Sequence, residues 1–290
     1  MSGAGWAALS GAGFGLFQAL NARAVRDLDS VYFSTFLQLV LATVVLAIAS
    51  LATEDLAALA DASAWGLIAF ALAGLVHFFV GWTTLNLSQA RIGAARTSPL
   101  LSTSPLFGLV LAAVVASQLP GWLSAFGIAL TIAGAYLVAD PGSGKRAALS
   151  DSIFALATAC AWAVSAILTV EGLEGLESPL LGVTVGMLAA TAAYGALLPF
   201  TSEPIRLGDR EALNLKLLAG VIVGVATWGR WLALDDASVG AVLALQLLAV
   251  PVVLVAAPLI SGRHVEVVTA KIWGGAILVI AGSLLLIVGE

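Results

Sequence analysis

Charged residues are scarce in this sequence. Only 10% of the 290 residues are Asp, Glu, Lys or Arg, and 61% are hydrophobic, whereas a soluble domain carries roughly 25% charged residues. A chain with so little polar surface cannot face water on all sides, so most of it must be surrounded by lipid. The net charge of −5 and the lack of a basic cluster larger than Lys145–Arg146 argue against a nucleic-acid partner.

Cysteine and histidine are nearly absent as well. The one cysteine, Cys160, excludes an intramolecular disulfide, and two histidines, His77 and His264, are too few for a histidine metal centre. No Gly-rich loop ending in Lys-Ser or Lys-Thr is present, which excludes ATP hydrolysis within this chain. We therefore expect no metal and no other cofactor. Because the first basic residue is Arg23, no signal peptide is predicted, and the first apolar run is expected to remain as a spanning helix.

Long apolar runs are abundant. A helix needs about 20 apolar residues to cross the hydrocarbon core of a bilayer. Such runs, bounded by charged and turn-forming residues, predict an all-α polytopic membrane protein with ten transmembrane helices. The runs lie near residues 5–24, 31–51, 64–87, 95–117, 121–139, 151–170, 179–200, 213–234, 239–260 and 267–288.

The chain divides into two related halves. A turn-rich linker at residues 141–150 separates an N-terminal unit, residues 1–140, from a C-terminal unit, residues 151–290, and each unit has five predicted helices. The segment Leu85–Ala95 aligns with Leu232–Val242 at an offset of 147 residues. Because five is an odd number, the two copies are expected to enter the membrane in opposite directions, as inverted repeats of transporters do.

Equivalent positions later in the two units also carry matching residues. Pro105 matches Pro251, and Ile132–Gly134 matches Ile280–Gly282. A proline inside a membrane helix leaves backbone carbonyl groups without their usual partners and allows the helix to bend. We therefore predict hinges at Pro105 and Pro251.

The sign of the charge alternates between successive loops. Loops after odd-numbered helices carry cations, and loops after even-numbered helices carry acidic residues. The positive-inside rule then places the odd loops in the cytoplasm and both termini outside. The cations are Arg23, Arg26, Arg91, Lys145, Arg146, Arg206, Arg210, Lys216 and Arg263, with Lys271 nearby, and the acidic residues are Glu54, Asp55, Asp61, Glu171, Glu174, Glu177, Asp235 and Asp236.

Two repeated blocks carry a family resemblance. They are Trp82–Phe107 with Gly127–Tyr136 in the first unit, and Ala233–Ala244 with Pro251 and Ile280–Gly282 in the second. In these blocks the chain resembles the drug/metabolite transporter superfamily, specifically its ten-helix EamA-type exporters. The resemblance implies a multi-pass transporter of the plasma or inner membrane. It also implies short loops after the third and eighth helices, each leading into a helix with a proline in its middle.

The sequence departs from this family at two points. The usual Gly-Glu-Arg after the fourth and ninth helices is replaced by Gln118–Gly121 and Ser261–His264. The family also leads us to expect cytoplasmic termini, whereas the charge distribution predicts termini outside. The orientation in the membrane therefore stays open at this stage.

Ionisable residues inside predicted spans are the first candidates for a substrate site, because such residues are costly in a membrane. Arg230, in the eighth run, is predicted to bind an anionic group. The alternatives are a snorkelling side chain or a pair with Asp235 or Asp236. Arg96, near the start of the fourth run, is predicted to lie at the mouth of a cavity, or else to anchor the helix at the interface.

His77 is the histidine nearest the centre of a predicted span. On an α-helix it would share one face with Gly74, Gly81 and Thr84, a small and polar face that predicts contact with protein or water. His77 is a candidate proton carrier, with a neutral histidine bonded to a neighbouring helix as the alternative. Thr84 joins the predicted substrate-binding set.

Amide side chains inside the spans complete the polar candidates. Gln18 and Asn21 share a face of the first helix, and Gln246 stands alone in the apolar ninth run. Amides suit recognition of polar metabolite groups, but they also join membrane helices to each other.

Tryptophans supply the apolar part of the predicted site. Trp82, Trp162, Trp228 and Trp231 are candidates for the wall of a pocket that takes amphipathic substrates. The alternative is the aromatic belt that tryptophans form at the membrane interface.

These residues favour a secondary transporter or facilitator that exports small polar or amphipathic metabolites by alternating access. Arg230 and Arg96 favour substrates with a carboxylate, such as amino acids. A membrane receptor or channel and an intramembrane enzyme are the alternatives, although no catalytic motif connects the serines near Ser98 with His77. The expected partners are a small-molecule substrate and the lipid bilayer, and a monomer is the default expectation for the oligomeric state.

Overall fold

The computed structural model describes residues 2–28, 30–116, 121–139, 150–201, 209–237 and 239–288, and these residues are helical with short connections. In the N-terminal half, α1 spans Gly3–Asp27, α2 Val31–Thr53, α3 Ala58–Asp61, α4 Ala64–Gly74, α5 Trp82–Ile92, α6 Ala94–Leu101, α7 Ser104–Ala116 and α8 Trp122–Ala139. In the C-terminal half, α9 spans Ile153–Leu173, α10 Pro179–Leu197, α11 Arg210–Asp236, α12 Val239–Gln246, α13 Ala249–Ser261 and α14 Ala270–Val288. A π-helical segment, Leu75–Gly81, joins α4 to α5.

Serine caps start several of the helices. The side-chain oxygens of Ser2, Ser30, Ser63 and Ser178 accept backbone N–H groups in the first turns of α1, α2, α4 and α10. These N–H groups have no partner within the helix, so a capping oxygen satisfies them where the apolar run begins. The polar residues that bound each run in the sequence thus set the helix starts.

The described residues include eight helical stretches that are long and apolar enough to cross a bilayer. Helix occupies the other two predicted runs as well. One is α1, and the other is divided between α6 and α7 by a break at Ser102–Thr103. The structure confirms an all-α polytopic membrane protein, whereas the count of ten spans stays a prediction. Most of the predicted linker, residues 141–149, lies outside the described residues.

Glycines allow the closest helix contacts. A Cβ atom added to Gly127 would lie 3.0 Å from the carbonyl oxygen of Gly282, and one added to Gly134 would lie 2.6 Å from that of Gly275. Between these two contacts the residue number rises in α8 and falls in α14, so the two helices pack antiparallel. Gly74 of α4 meets the backbone of Gly186 in α10 in the same manner. Small residues permit such approaches between membrane helices.

The fourth and ninth predicted helices share the same interruption. In each, an eight-residue helix, α6 or α12, precedes a two-residue break and a second helix, α7 or α13. Pro105 is the second residue of α7 and Pro251 the third residue of α13. The predicted fourth and ninth helices are therefore interrupted, and the hinges at Pro105 and Pro251 stay predictions. The breaks precede the prolines, which stand in a first turn where a missing N–H costs no helical hydrogen bond.

The two ends of the helix bundle differ in charge. At one end, here named the basic end, α1, α5 and α13 finish and α11 starts. Arg91 forms an ion pair there with Asp151 at 3.1 Å. At the other end, the acidic end, α2 and α9 finish and α10 starts. Ser178 donates a 2.6 Å hydrogen bond to Glu54 at that end, close to Glu177. The separation agrees with the alternation of charges along the sequence.

Candidate substrate site

Helix α11 carries two cations along the stripe that faces the centre of the bundle. Lys216, Ala219, Val223, Thr227 and Arg230 follow each other at spacings of three or four residues, which places them on one side of an α-helix. Helix α11 packs against α1 and α2 along this length. With a rise of about 1.5 Å per residue, Lys216 and Arg230 stand roughly 21 Å apart along the axis. The stripe therefore presents one cation toward each end of the bundle.

Lys216 is fully buried among amide side chains. Its Nζ donates to Gln38 Oε1 at 2.8 Å and to Asn21 Oδ1. Asn21 Nδ2 in turn donates to Asn86 Oδ1 at 2.6 Å and to Gln89 Oε1. The relative exposure of all five residues is 0%. We name Asn21, Gln38, Asn86 and Gln89 the amide cluster; it joins α1, α2 and α5 to α11 near the basic end.

The amide cluster solvates the ammonium group of Lys216 without neutralising it. Within the residues that the structure describes, no carboxylate lies within ion-pair distance of Lys216. Amide oxygens satisfy its N–H groups, but a charge in a bundle interior without a counter-ion is costly and indicates function. Two neighbouring groups, Gln18 Oε1 and Gln38 Nε2, are buried without a hydrogen-bond partner.

A buried carboxylate links the two halves of the chain at the basic end. Glu266, only 2% exposed, accepts hydrogen bonds from the N–H groups of Ala94 at 3.0 Å and Ala95 at 3.2 Å. Its Oε1 also lies 3.2 Å from Nη2 of Arg26. The N–H groups belong to the first turn of α6, where a negative charge is favoured by the helix dipole. We name Glu266, Arg26 and the first turn of α6 the Glu266 latch.

Aromatic side chains fill the middle of the bundle. The His77 ring stacks on Trp162 at 5.2 Å with an interplanar angle of 11°, and His77 Nδ1 lies 2.8 Å from Ser165 Oγ. Phe78 meets Trp82 edge-on at 5.1 Å. His77 stands in the π-helical segment, a rare geometry that is frequent at functional sites.

Toward the acidic end, α11 carries Arg230 and, on another side of the helix, lines a cavity. The cavity holds about 270 Å³ and is lined in part by Trp228, Trp231, Glu54 and Glu177. Arg230 is half-buried, forms no ion pair with the described residues, and its Nε is buried without a partner. The indole N–H groups of Trp228 and Trp231, like that of Trp162, are also buried without a partner. This region therefore offers several hydrogen-bond donors and one positive charge to a ligand.

The four predicted tryptophans share one hydrophobic core cluster. Trp82 is a buried member of it, and Trp162, Trp228 and Trp231 are partly buried and pack against it. The side chains of Asp235 and Asp236, the predicted alternative partners of Arg230, lie outside the described part.

Other predicted residues have helix-packing contacts. Thr84 Oγ1 lies 2.8 Å from Thr158 Oγ1 and so joins α5 to α9. Gln246 Nε2 donates to Ser10 Oγ at 3.0 Å and so joins α12 to α1. Arg96 is half-buried in α6 and has no hydrogen bond or ion pair with the described residues.

Gln18 and Asn21 were predicted site residues and lie at the amide cluster, whereas its other members were missed. Lys216 had been counted as a loop cation, although it stands inside the eighth predicted run and within α11. Gln38, Asn86 and Gln89 also lie inside predicted runs or at their ends. A search that included every polar residue in or next to the predicted runs, rather than selected ones, would have found them.

A polytopic helical bundle with broken helices and uncompensated buried cations has the features of a membrane transporter. Comparison with known proteins gives one family match: residues 1–139 match the EamA-like transporter family. The N-terminal half of the chain is thus an EamA-like sequence, which confirms the resemblance to the drug/metabolite transporter superfamily, and the protein is a multi-pass membrane protein.

Two further similarities extend this result. Over 172 residues the chain is 29% identical to a probable terminal-alkyne amino-acid exporter of Streptantibioticus cattleyicolor. The match covers 55% of this chain and 54% of that exporter, so the chain matches about half the length of this relative. A protein of known crystal structure has the same fold, with a TM-score of 0.63 and 17% identity over 96% of this chain and 97% of that one.

Proposed function

We propose that the protein is a secondary transporter that exports small amphipathic metabolites with a carboxylate group, with amino-acid-like compounds as the favoured class. One observation carries the proposal: Arg230 is half-buried, forms no ion pair with the described residues, and its guanidinium Nε is buried without a hydrogen-bond partner among them. A guanidinium group binds a carboxylate through two parallel hydrogen bonds, which is its most specific form of recognition.

A cavity lined by the neighbours of Arg230 along α11 suits the rest of such a substrate. Trp228 and Trp231 offer apolar faces and unpartnered indole N–H groups. Glu54 and Glu177, which line the same cavity, suit a positively charged amino group. The name of the Streptantibioticus relative, an amino-acid exporter, supports the same substrate class.

Alternating access between two inverted five-helix repeats is the proposed mechanism. The antiparallel packing of α8 and α14 supports it, because these helices hold the matching segments Ile132–Gly134 and Ile280–Gly282. The matching breaks before α7 and α13 support it as well. In this account the amide cluster and the Glu266 latch close the basic end, and the cavity lined by Trp228 and Trp231 faces the acidic end.

Metabolite release by cells tests the proposal. Cells that express wild-type protein, Arg230→Ala or Arg230→Lys at equal membrane levels are compared with cells carrying an empty vector. We expect wild type alone to enrich a carboxylate-bearing class in the medium. Arg210→Ala is the matched control, because Arg210 is an exposed cation of the same helix, and it should export like wild type. If Arg230→Ala exports like wild type, Arg230 is not part of the site.

A further inference from the structure

We infer that Lys216, Gln38 and Gln18 form a second substrate-binding station near the basic end, in which Lys216 and Gln38 bind the carboxylate and Gln18 accepts a hydrogen bond from the amino group. The inference rests on the proposed function and deepens it. It adds a second point of recognition on the same stripe of α11 that carries Arg230.

Unused hydrogen-bonding groups at this place define the station. An ammonium group has three N–H donors, and two of those on Lys216 are accepted by Asn21 and Gln38. Gln38 Nε2 is a second donor without a partner, on the same amide whose oxygen touches Lys216. Lys216 and Gln38 therefore hold adjacent unused donors, which is what the two oxygens of a carboxylate require.

Gln18 supplies the complementary acceptor. Its Oε1 is buried without a partner, and its side chain is only 4% exposed. Gln18 precedes Asn21 by three residues on α1, so both lie on one face of the helix. Its backbone oxygen accepts a 3.3 Å hydrogen bond from Gln89 of the amide cluster. One unused acceptor beside two unused donors matches the zwitterion of an amino acid.

The acidic residues that hold cations near Lys216 are already engaged. Glu211, five residues before Lys216, lies 2.5 Å from Arg23 and is 62% exposed. Glu266 is held by Arg26 and by the first turn of α6. Lys216 is thus left with neutral partners, although a methionine would fill the same space without the cost of a buried charge. A positive charge that is buried despite this cost indicates a ligand with negative charge.

The station is closed in this structure. Lys216 and Gln38 are fully buried, so no carboxylate reaches their unused N–H groups in this conformation. When α11 separates from α1 and α2 at the basic end, a substrate carboxylate can bind these N–H groups. The station therefore belongs to the state that is open at the basic end.

The test uses two probes that differ in one group. Purified full-length protein in proteoliposomes is assayed for transport of L-phenylalanine and of 3-phenylpropionate, which has the same carboxylate and ring but no amino group. We expect Lys216→Met to raise the half-saturating concentration of both probes about tenfold or more, the effect of losing one charged hydrogen bond. Lys216→Arg should retain most of the affinity, since it keeps the charge.

Gln18→Leu separates binding from a purely structural role. We expect it to raise the half-saturating concentration of L-phenylalanine roughly three- to tenfold and to leave that of 3-phenylpropionate unchanged. Arg210→Ala is the control and should match wild type. If Lys216→Met does not fold, Gln18→Leu with the two probes decides the question.

The outcomes distinguish this inference from the proposed function. Wild-type half-saturating concentrations in Lys216→Met, or an equal effect of Gln18→Leu on both probes, would overturn the station. Neither result would contradict the proposed transport function. A wild-type protein that moves neither probe would overturn the proposed function, and the station with it.

Discussion

The two cations on the inward-facing stripe of α11, Lys216 and Arg230, differ in what surrounds them. Lys216 is enclosed by amides that accept its hydrogen bonds, whereas the guanidinium Nε of Arg230 is buried without an acceptor. The first arrangement spreads a charge over neutral dipoles, and the second leaves a donor for a ligand. Both arrangements are costly in a membrane interior, so neither residue is explained by stability alone.

The loss of stability from a substitution in the amide cluster should depend on whether the charge of Lys216 is still present. Asn21→Leu takes an acceptor from a buried charge that remains, so we expect a loss of about 2 kcal/mol or more. Lys216→Met removes the charge itself and should cost less. The double variant should be more stable than Asn21→Leu alone. Thermal unfolding of the purified protein in detergent measures all three, and equal losses for both single variants would contradict this account.

At single positions the sequence predicted the charges and aromatics better than their partners. Arg230, Trp228 and His77 were named because their residue types are unusual at span depth. The partner of His77, Ser165, could not be predicted, because it lies 88 residues further along the chain. Lys216 was missed because its position near a predicted helix start resembled that of a loop cation.

Among the helices, close glycine contacts determine which pairs can approach. Ala at Gly74 would place a methyl group against the backbone of Gly186, whereas nothing lies within 4 Å of a Cβ at Gly274. We expect Gly74→Ala to lower the unfolding temperature. Gly274→Ala should leave it unchanged or raise it, because alanine is the better helix former. Equal unfolding temperatures for the two variants would show that α4 and α10 do not pack in this way.

The Glu266 latch should protect the first turn of α6. Glu266→Gln keeps one acceptor oxygen but loses the charge that favours the helix N-terminus and Arg26. We expect hydrogen exchange at the N–H groups of Ala94 and Ala95 to become about tenfold faster.

Glu211→Gln is the control for this measurement. Its ion pair with Arg23 is exposed, and exposed pairs contribute little. Mass spectrometry of peptides that cover α6 gives both results. Unchanged exchange in Glu266→Gln would mean that the latch does not hold the basic end.

The helical elements were predicted well, and their interruptions were not. Apolar runs bounded by serines and charges predicted where helices lie. The π-helical segment Leu75–Gly81 and the breaks at Ser102–Thr103 and Leu247–Leu248 depend on tertiary packing. Pro105 and Pro251 were predicted as hinges inside helices, and the structure places them in the first turns of α7 and α13, just after the breaks.

For the whole molecule, the separation of charge predicts an orientation. The basic end should face the cytoplasm, which places both termini outside. Fusions at Glu290 test this: alkaline phosphatase should be active there and green fluorescent protein dark. The reverse pattern would agree with the cytoplasmic termini expected from the family resemblance and would contradict the charge argument.

The two-unit organisation was predicted from short matching segments such as Ile132–Gly134 and Ile280–Gly282. In the structure these segments lie on the antiparallel pair α8 and α14, and the inverted repeat stays a prediction. The candidate substrate site was less accessible to sequence reasoning, because its members come from α1, the π-helical segment, α9 and α11. Only the fold brings these distant segments together.

The most direct test of the account is whether a carboxylate is what the protein recognises. Proteoliposomes with wild-type protein are given L-phenylalanine or L-phenylalaninamide, which lacks the carboxylate, and initial rates are compared with those of Arg230→Lys. We predict that wild type moves L-phenylalanine about tenfold faster or more, and that Arg230→Lys loses this preference. Equal rates for the two compounds in wild type, or no transport of either, would contradict the account.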